Sequence, residues 1–175
     1  MASIGSDPPP PSSDPIPQVV ITPKVYAQDL KKLPQNPEES GYYTYGTPTL
    51  GRGQYGNSRA LSTLFSIESR WEYNHTNRFG VGNISLKYGG PFEPHVSHQD
   101  GGEMDVRALR KDGLEAPVSW QDSQYDRAAT KELIKTFKDS GNVNKIFFND
   151  PAMPGVQPLE GHDNHFHVEF KQNAQ

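Results

Sequence analysis

Apolar and polar positions repeat with two different periods along this chain, and the change of period marks out its elements. Over Asn57–Tyr73 the residues Leu61, Leu64, Phe65 and Trp71 recur near every 3.6 positions, which predicts a helix with Asn57 or Ser58 as its cap. Phe79–Leu86 predicts a strand with Val81, Ile84 and Leu86 facing inward, weakened or bulged at Gly80 and Gly82. Gly89-Gly90-Pro91 breaks the chain, and Val106–Leu109 resumes as strand before a turn at Lys111-Asp112-Gly113. Ser123–Ser140 predicts a second helix, with Ala128, Leu133, Ile134 and Phe137 on its buried side and Gly141 just past its end. Val143–Phe148 reads as a strand, Asn149–Glu160 as a proline-rich loop, and His165–Phe170 as a final strand. Two helices among short strands, without regular βαβ alternation, give an α+β fold class: a small antiparallel sheet with flanking helices.

The N-terminal pattern is different. Nine of the 16 prolines precede residue 38, and Pro8–Pro11 favours a semi-rigid, extended spacer. Residues 1–40 are therefore expected to be a proline-rich leader or linker, and 41–175 the folded domain. Val19–Val25 is at most a short edge strand, limited by Pro23. Tyr42–Tyr55 reads as irregular structure lying on the domain, its tyrosines either packing there or lining a groove.

Composition narrows the classes of function. The 175 residues carry a net charge of −4, which offers no basic footprint for nucleic acid. No run approaches the roughly 18 apolar residues of a membrane span. There is no cysteine, hence no disulfide and no thiolate metal site. Met1–Pro15 has neither the charged nor the apolar region of a signal peptide, so no signal peptide is expected in this chain.

Chemistry is concentrated in two polar segments. Gly90–Asp105 (GPFEPHVSHQDGGEMD) and Gly161–Val168 (GHDNHFHV) together hold five of the six histidines. In a strand His165 and His167 share a face, with Phe166 and Val168 directed into the core. Between His98 and Asp105, Gly101-Gly102 argues against a continuous helix and for a turn that brings the two side chains together. One carboxylate and two imidazoles, with a fourth position left to water, form the ligand set of a catalytic zinc. A set with one carboxylate suits zinc better than calcium, which takes six or more oxygens. Glu103, two residues before Asp105, shares its face if the chain is extended there. It is then either a solvated acid or a group that orients an imidazole. His75 lies in a polar turn and is expected to be solvated.

The pattern S-H-x-x-G-x-x-x-D in Ser97–Asp105, followed by H-x-x-H-x-H-V in His162–Val168, resembles the penicillin-insensitive murein endopeptidases. These belong to the wider group of lysostaphin-type, D-Ala-D-Ala-peptidase and hedgehog-like zinc domains. Gly89–Phe92 (GGPF), Pro94-His95 and Gly161 before His162 extend the resemblance, which runs from about Tyr45 to Phe170 and is strong in the two motifs. It implies one zinc ion per chain in a groove on the sheet, held by His98, Asp105 and His167. His165 becomes the catalytic histidine beside the metal and His162 a further one. His95 matches another active-site histidine or packs on the turn.

The implied activity is hydrolysis of peptidoglycan peptides by metal-activated water. The D-Ala–meso-diaminopimelate cross-link is the expected bond and the neighbouring L,D bond a second one. No His-Glu-x-x-His helix is present to supply a glutamate base. The expected location is the periplasm or the exterior, with delivery to the wall and possible tethering through the leader. Two alternatives stand beside this reading: a D,D-carboxypeptidase of the same group, and a non-catalytic zinc-dependent module that binds wall peptide or protein. The best-known members of the family contain disulfides, whereas this chain has none.

Overall fold

The computed structural model describes residues 29–172. In chain order the elements are β1 (Lys31–Lys32), β2 (Tyr42–Thr44), β3 (Tyr55–Gly56), α1 (Ser58–Asn74), β4 (Phe79–Val81), β5 (Glu103–Arg107), α2 (Arg127–Asp139), β6 (Val143–Phe147) and β7 (His165–Phe170). β1 and β3 make a small antiparallel pair, and the other strands form a five-stranded sheet in the order β2-β4-β5-β7-β6. The larger sheet is mixed, because β2 runs parallel to β4. The antiparallel sheet expected from the sequence is thus restricted to β4-β5-β7-β6 and to the small pair.

Strict alternation along β5 and β7 separates a core face from a polar face. Met104, Val106, Phe166 and Val168 are fully buried, and the Phe166 ring meets Phe137 of α2 edge-on at 5.7 Å. Each such side chain contributes roughly 1.5–3 kcal/mol of transfer free energy, so this layer fixes the register. Asp105 is thereby paired with His167, and Arg107 with His165.

Both helices form where the periodicity placed them, with different details. Asn57 caps α1 by accepting from Ala60 N at 2.9 Å. The stripe that α1 buries contains Ala60, Leu61, Leu64, Ile67 and Trp71, whereas Phe65 is turned outward. α2 starts at Arg127, four residues later than expected. The chain first turns through Asp122–Tyr125 to carry Tyr125 into the core, and Asp126 then caps the helix by accepting from Ala129 N at 3.0 Å. Ala128 is exposed, and its expected place is taken by Thr130, whose Oγ1 accepts from Leu109 N at 3.0 Å. Gly141 adopts φ +73° beyond the helix end, a conformation that favours glycine.

The strand expected over Phe79–Leu86 divides between partners. β4 ends at Val81, and Ile84 N then donates to Gly53 O. The N-terminal boundary also shifts. Leu33, expected in the leader, is completely buried, and β1 pairs with β3, so residues 30–33 belong to the folded unit. Tyr42–Thr44 is strand, not irregular chain, and Tyr42 and Tyr43 are buried. His75 is not simply solvated: it stacks on Trp71 at 3.6 Å and its Nε2 lies 3.2 Å from Glu132. Residues 1–28, including the expected strand Val19–Val25, lie outside the described part.

Candidate metal centre

The polar face of β5 and β7 brings the two histidine-rich segments together. Asp105 stands in the middle of β5, although the sequence suggested a position ahead of the strand. Its Oδ1 is the centre of the cluster: His167 Nδ1 lies at 3.1 Å, His98 Nε2 at 3.2 Å and His165 Nε2 at 3.7 Å. His167 and His98 are almost completely buried, whereas His165 is partly open. His95, His98 and Asp105 each offer a ligand atom, all within 4.8 Å of one another, so this cluster could hold a metal ion. Glu103, His167 and Glu169 form an adjoining group with the same spacing.

His98 reaches the cluster from a loop, and several contacts hold it there. Its backbone is left-handed at φ 62°, which costs a non-glycine residue about 1–2 kcal/mol. The Glu103 carboxylate accepts a hydrogen bond from the His98 backbone N–H. Glu103 therefore acts on the backbone of His98. The ring is fixed separately, by Nδ1 donating to Ile84 O at 3.0 Å, which directs Nε2 at Asp105.

His95 stands behind His98, with ring centroids 4.9 Å apart. Asn83 Oδ1 accepts from Thr47 N at 2.7 Å, so its amide nitrogen faces His95 Nε2 at 2.8 Å. Nε2 of His95 must accept that bond, and the proton of the neutral ring is on Nδ1. The backbone carbonyl of Asn83 accepts the Asp105 N–H at 3.0 Å, tying the residue that holds His95 to the middle of β5. The sequence reading passed over Asn83. The available signal was an amide side chain in a segment otherwise read as strand, a residue type that strands disfavour.

On the other side, His162 and His165 stack obliquely at 4.8 Å. His162 Nδ1 donates to Leu159 O and Glu160 O at 3.2 and 3.0 Å. His165 Nδ1 donates to Asn164 Oδ1 at 2.8 Å, leaving Nε2 toward Asp105. Phe147 walls this part of the cluster, its ring 6.0 Å from His167 and 6.2 Å from His162. Every histidine singled out from the sequence is thus drawn to this face, and His75 is not part of it.

The charges follow from these contacts. Burial would raise the Asp105 pKa, but hydrogen bonds from His167 and His98 outweigh it and hold the carboxyl well below its usual range. Burial opposes a charge on His98, yet Asp105 and Glu103 prevail and raise its pKa. His165 has a weaker hold on Asp105. Burial and the neighbouring histidines bring it down to about 4, so it is neutral at pH 7. Burial and the proximity of His98 lower His95 as well.

Tyr45 and Arg107 extend the same face. Tyr43 and Tyr45 cross β4 and the residues after it where Gly80 and Gly82 have no side chains. A Cβ on Gly82 would stand 2.5 Å from Tyr45 Cζ, and one on Gly80 2.8 Å from Tyr43 Cζ. The glycines that looked like weak points are therefore sites of close approach. Burial and the charge of Asp105 raise the Tyr45 phenol well above its usual pKa.

No helix among the described residues is long and apolar enough to cross a membrane. No protein-family model matches the chain, and no curated protein matches it in sequence.

Proposed function

We propose that this chain is a zinc-dependent peptidoglycan hydrolase, a D,D-endopeptidase that cuts D-Ala–meso-diaminopimelate cross-links outside the cytoplasm. The observation that carries this reading is the convergence of three imidazole nitrogens on one oxygen of Asp105. Donor atoms around a tetrahedral zinc, at metal–ligand distances of roughly 2.0–2.1 Å, are roughly 3.3 Å from each other. The separations of 3.2 and 3.1 Å from Asp105 Oδ1 to His98 Nε2 and His167 Nδ1 match that spacing. His98, Asp105 and His167 are the ligands in this reading, and their burial suits a fixed site. The resemblance of the two sequence motifs, Ser97–Asp105 and His162–Val168, to murein endopeptidases supplies the substrate class.

When bound, zinc would polarise the scissile carbonyl and bring the pKa of water toward about 7. The remaining tasks fall to this chain's own groups. His165, neutral and with Nε2 directed at the centre, orients the attacking water and takes up its proton. His162 has its Nδ1 tied to backbone carbonyls, which leaves Nε2 for proton transfer to the leaving amine. Glu103 and Asn83 keep His98 and His95 in place. Tethering through the N-terminal segment would hold the domain near its polymeric substrate.

The test is digestion of purified murein with and without a chelator, with the products identified by mass spectrometry. Conversion of cross-linked dimers to monomers, restored by zinc and absent in H165A, is the expected result. Stoichiometric zinc with no product from any wall type would replace the hydrolase by a zinc-dependent binding module.

A further inference from the structure

The polar face beside the metal centre is electrically asymmetric. Along β5, Glu103, Asp105 and Arg107 project to one side, and they stand opposite Glu169, His167 and His165 of β7 respectively. One end of this face carries two carboxylates in register, and the other carries a guanidinium. Asp105 and Arg107, two residues apart on an extended strand, are separated by roughly 6.7 Å along the chain.

Arg107 has no carboxylate within ion-pair distance among the described residues, unlike Arg78, Arg110 and Arg127. Its guanidinium is instead laid over the Tyr45 ring, 3.9 Å from the centroid, and 5.9 Å from that of Tyr43. Its polar contacts are long and to neutral oxygens: Nη1 is 3.4 Å from Tyr43 Oη and 3.4 Å from Glu115 O. A guanidinium stacked on an aromatic ring keeps its in-plane N–H groups available and spends little conformational freedom on pairing with a carboxylate.

We propose that Arg107, held by Tyr45, binds a free carboxylate next to the scissile bond of the substrate. This rests on the hydrolase reading and adds to it a substrate class: cross-links whose leaving-amine residue has an unmodified carboxylate. In a D-Ala–meso-diaminopimelate bond the carbon that bears the leaving nitrogen also bears a carboxyl group. By standard bond lengths that carboxyl carbon is roughly 3–3.7 Å from the scissile carbonyl carbon. Arg107 and Asp105 leave β5 on the same face two residues apart, so the guanidinium belongs to the surface that carries the metal centre. Glu103 and Glu169 at the opposite end repel a carboxylate, so the same face also selects the direction in which the peptide lies.

The experiment compares cross-linked muropeptide dimers that have this carboxylate either free or amidated, using the zinc-loaded wild type, R107Q and R107K. The wild type should cleave the free acid with a kcat/KM about 10- to 100-fold above the amide, the worth of one charged hydrogen-bonded pair. R107Q should lose this preference by slowing the free acid alone, and R107K should recover part of it. Equal slowing of both substrates by R107Q, or a wild type indifferent to amidation, would overturn the proposal. Should the wild type cleave neither dimer, the hydrolase reading fails and Arg107 is judged on binding. Calorimetry of the two dimers with wild type and R107Q then decides: an Arg107-dependent preference for the acid supports the subsite, and equal affinities remove it.

Discussion

Two aspartates are buried among the described residues, and their partners set them apart. Asp150 is 1% exposed and Asp105 7%. Asp150 accepts from Tyr125 Oη at 2.9 Å, from Arg127 Nε at 2.7 Å and from Ala152 N at 3.0 Å. All three donors keep their protons at neutral pH, so that carboxylate is closed off and its value is structural. Asp105 is surrounded by imidazoles, each of which can give up its proton and present a lone pair in the same direction. Burial and negative charge are thus common to both places. What distinguishes a candidate metal centre is that the partners can exchange a proton for a metal.

The sharpest way to break this comparison is to remove each carboxylate in turn. Asp105→Ala should abolish stoichiometric zinc binding and reduce murein hydrolysis below detection, as measured by metal analysis and product assay. His165→Ala comes next: it should keep zinc at one per chain but lower kcat by about 10²- to 10⁴-fold, the range of general acid–base groups. Loss of zinc in that variant would make His165 a ligand. Asp150→Ala should leave the zinc content intact and cost about 2–4 kcal/mol of stability in denaturant unfolding, because it strips Tyr125 and Arg127 of their acceptor. A zinc-free Asp150→Ala protein that is still folded would contradict the division of roles.

A smaller effect concerns pH. Arg127, Tyr125 and the Ala152 N–H outweigh burial and lower the Asp150 pKa in the folded state. A depressed carboxyl pKa adds stability that is complete above the unfolded value of about 3.9 and is lost as pH falls through the folded one. The wild type should therefore lose more stability than Asp150→Asn on acidification below about pH 4. Parallel acid-unfolding curves for the two proteins would show that Asp150 gains nothing from its partners.

The sequence made the strand-borne half of the site legible and left much of its support hidden. His165–Phe170 was readable because a period of two assigns Phe166 and Val168 to the core and sends His165 and His167 the other way. His98 and Asp105 were readable as a pair from their glycine-separated spacing. The position of Asp105 within β5 was not, since strand limits depend on the partner, and β7 lies 60 residues away in the chain. The parallel pairing of β2 with β4 has no local signature either. Phe65 was misassigned because its neighbours on α1 satisfy the helical period equally well. Asn83 and Arg107 were missed, and the tyrosines of Tyr42–Tyr55 were left between packing and lining a groove, for a common reason: each acts through contacts with segments distant in the chain. Only the fold shows that Gly80 and Gly82 make room for Tyr43 and Tyr45.

The most direct test of the central claim is crystallographic: anomalous scattering at the zinc absorption edge from crystals grown with stoichiometric zinc. A single strong peak bonded to His98 Nε2, Asp105 and His167 Nδ1, with His165 beside it and a solvent oxygen completing the coordination, is the predicted result. A peak held by Glu103 and Glu169 with His98 and Asp105 free, or no ordered peak at all, would contradict it.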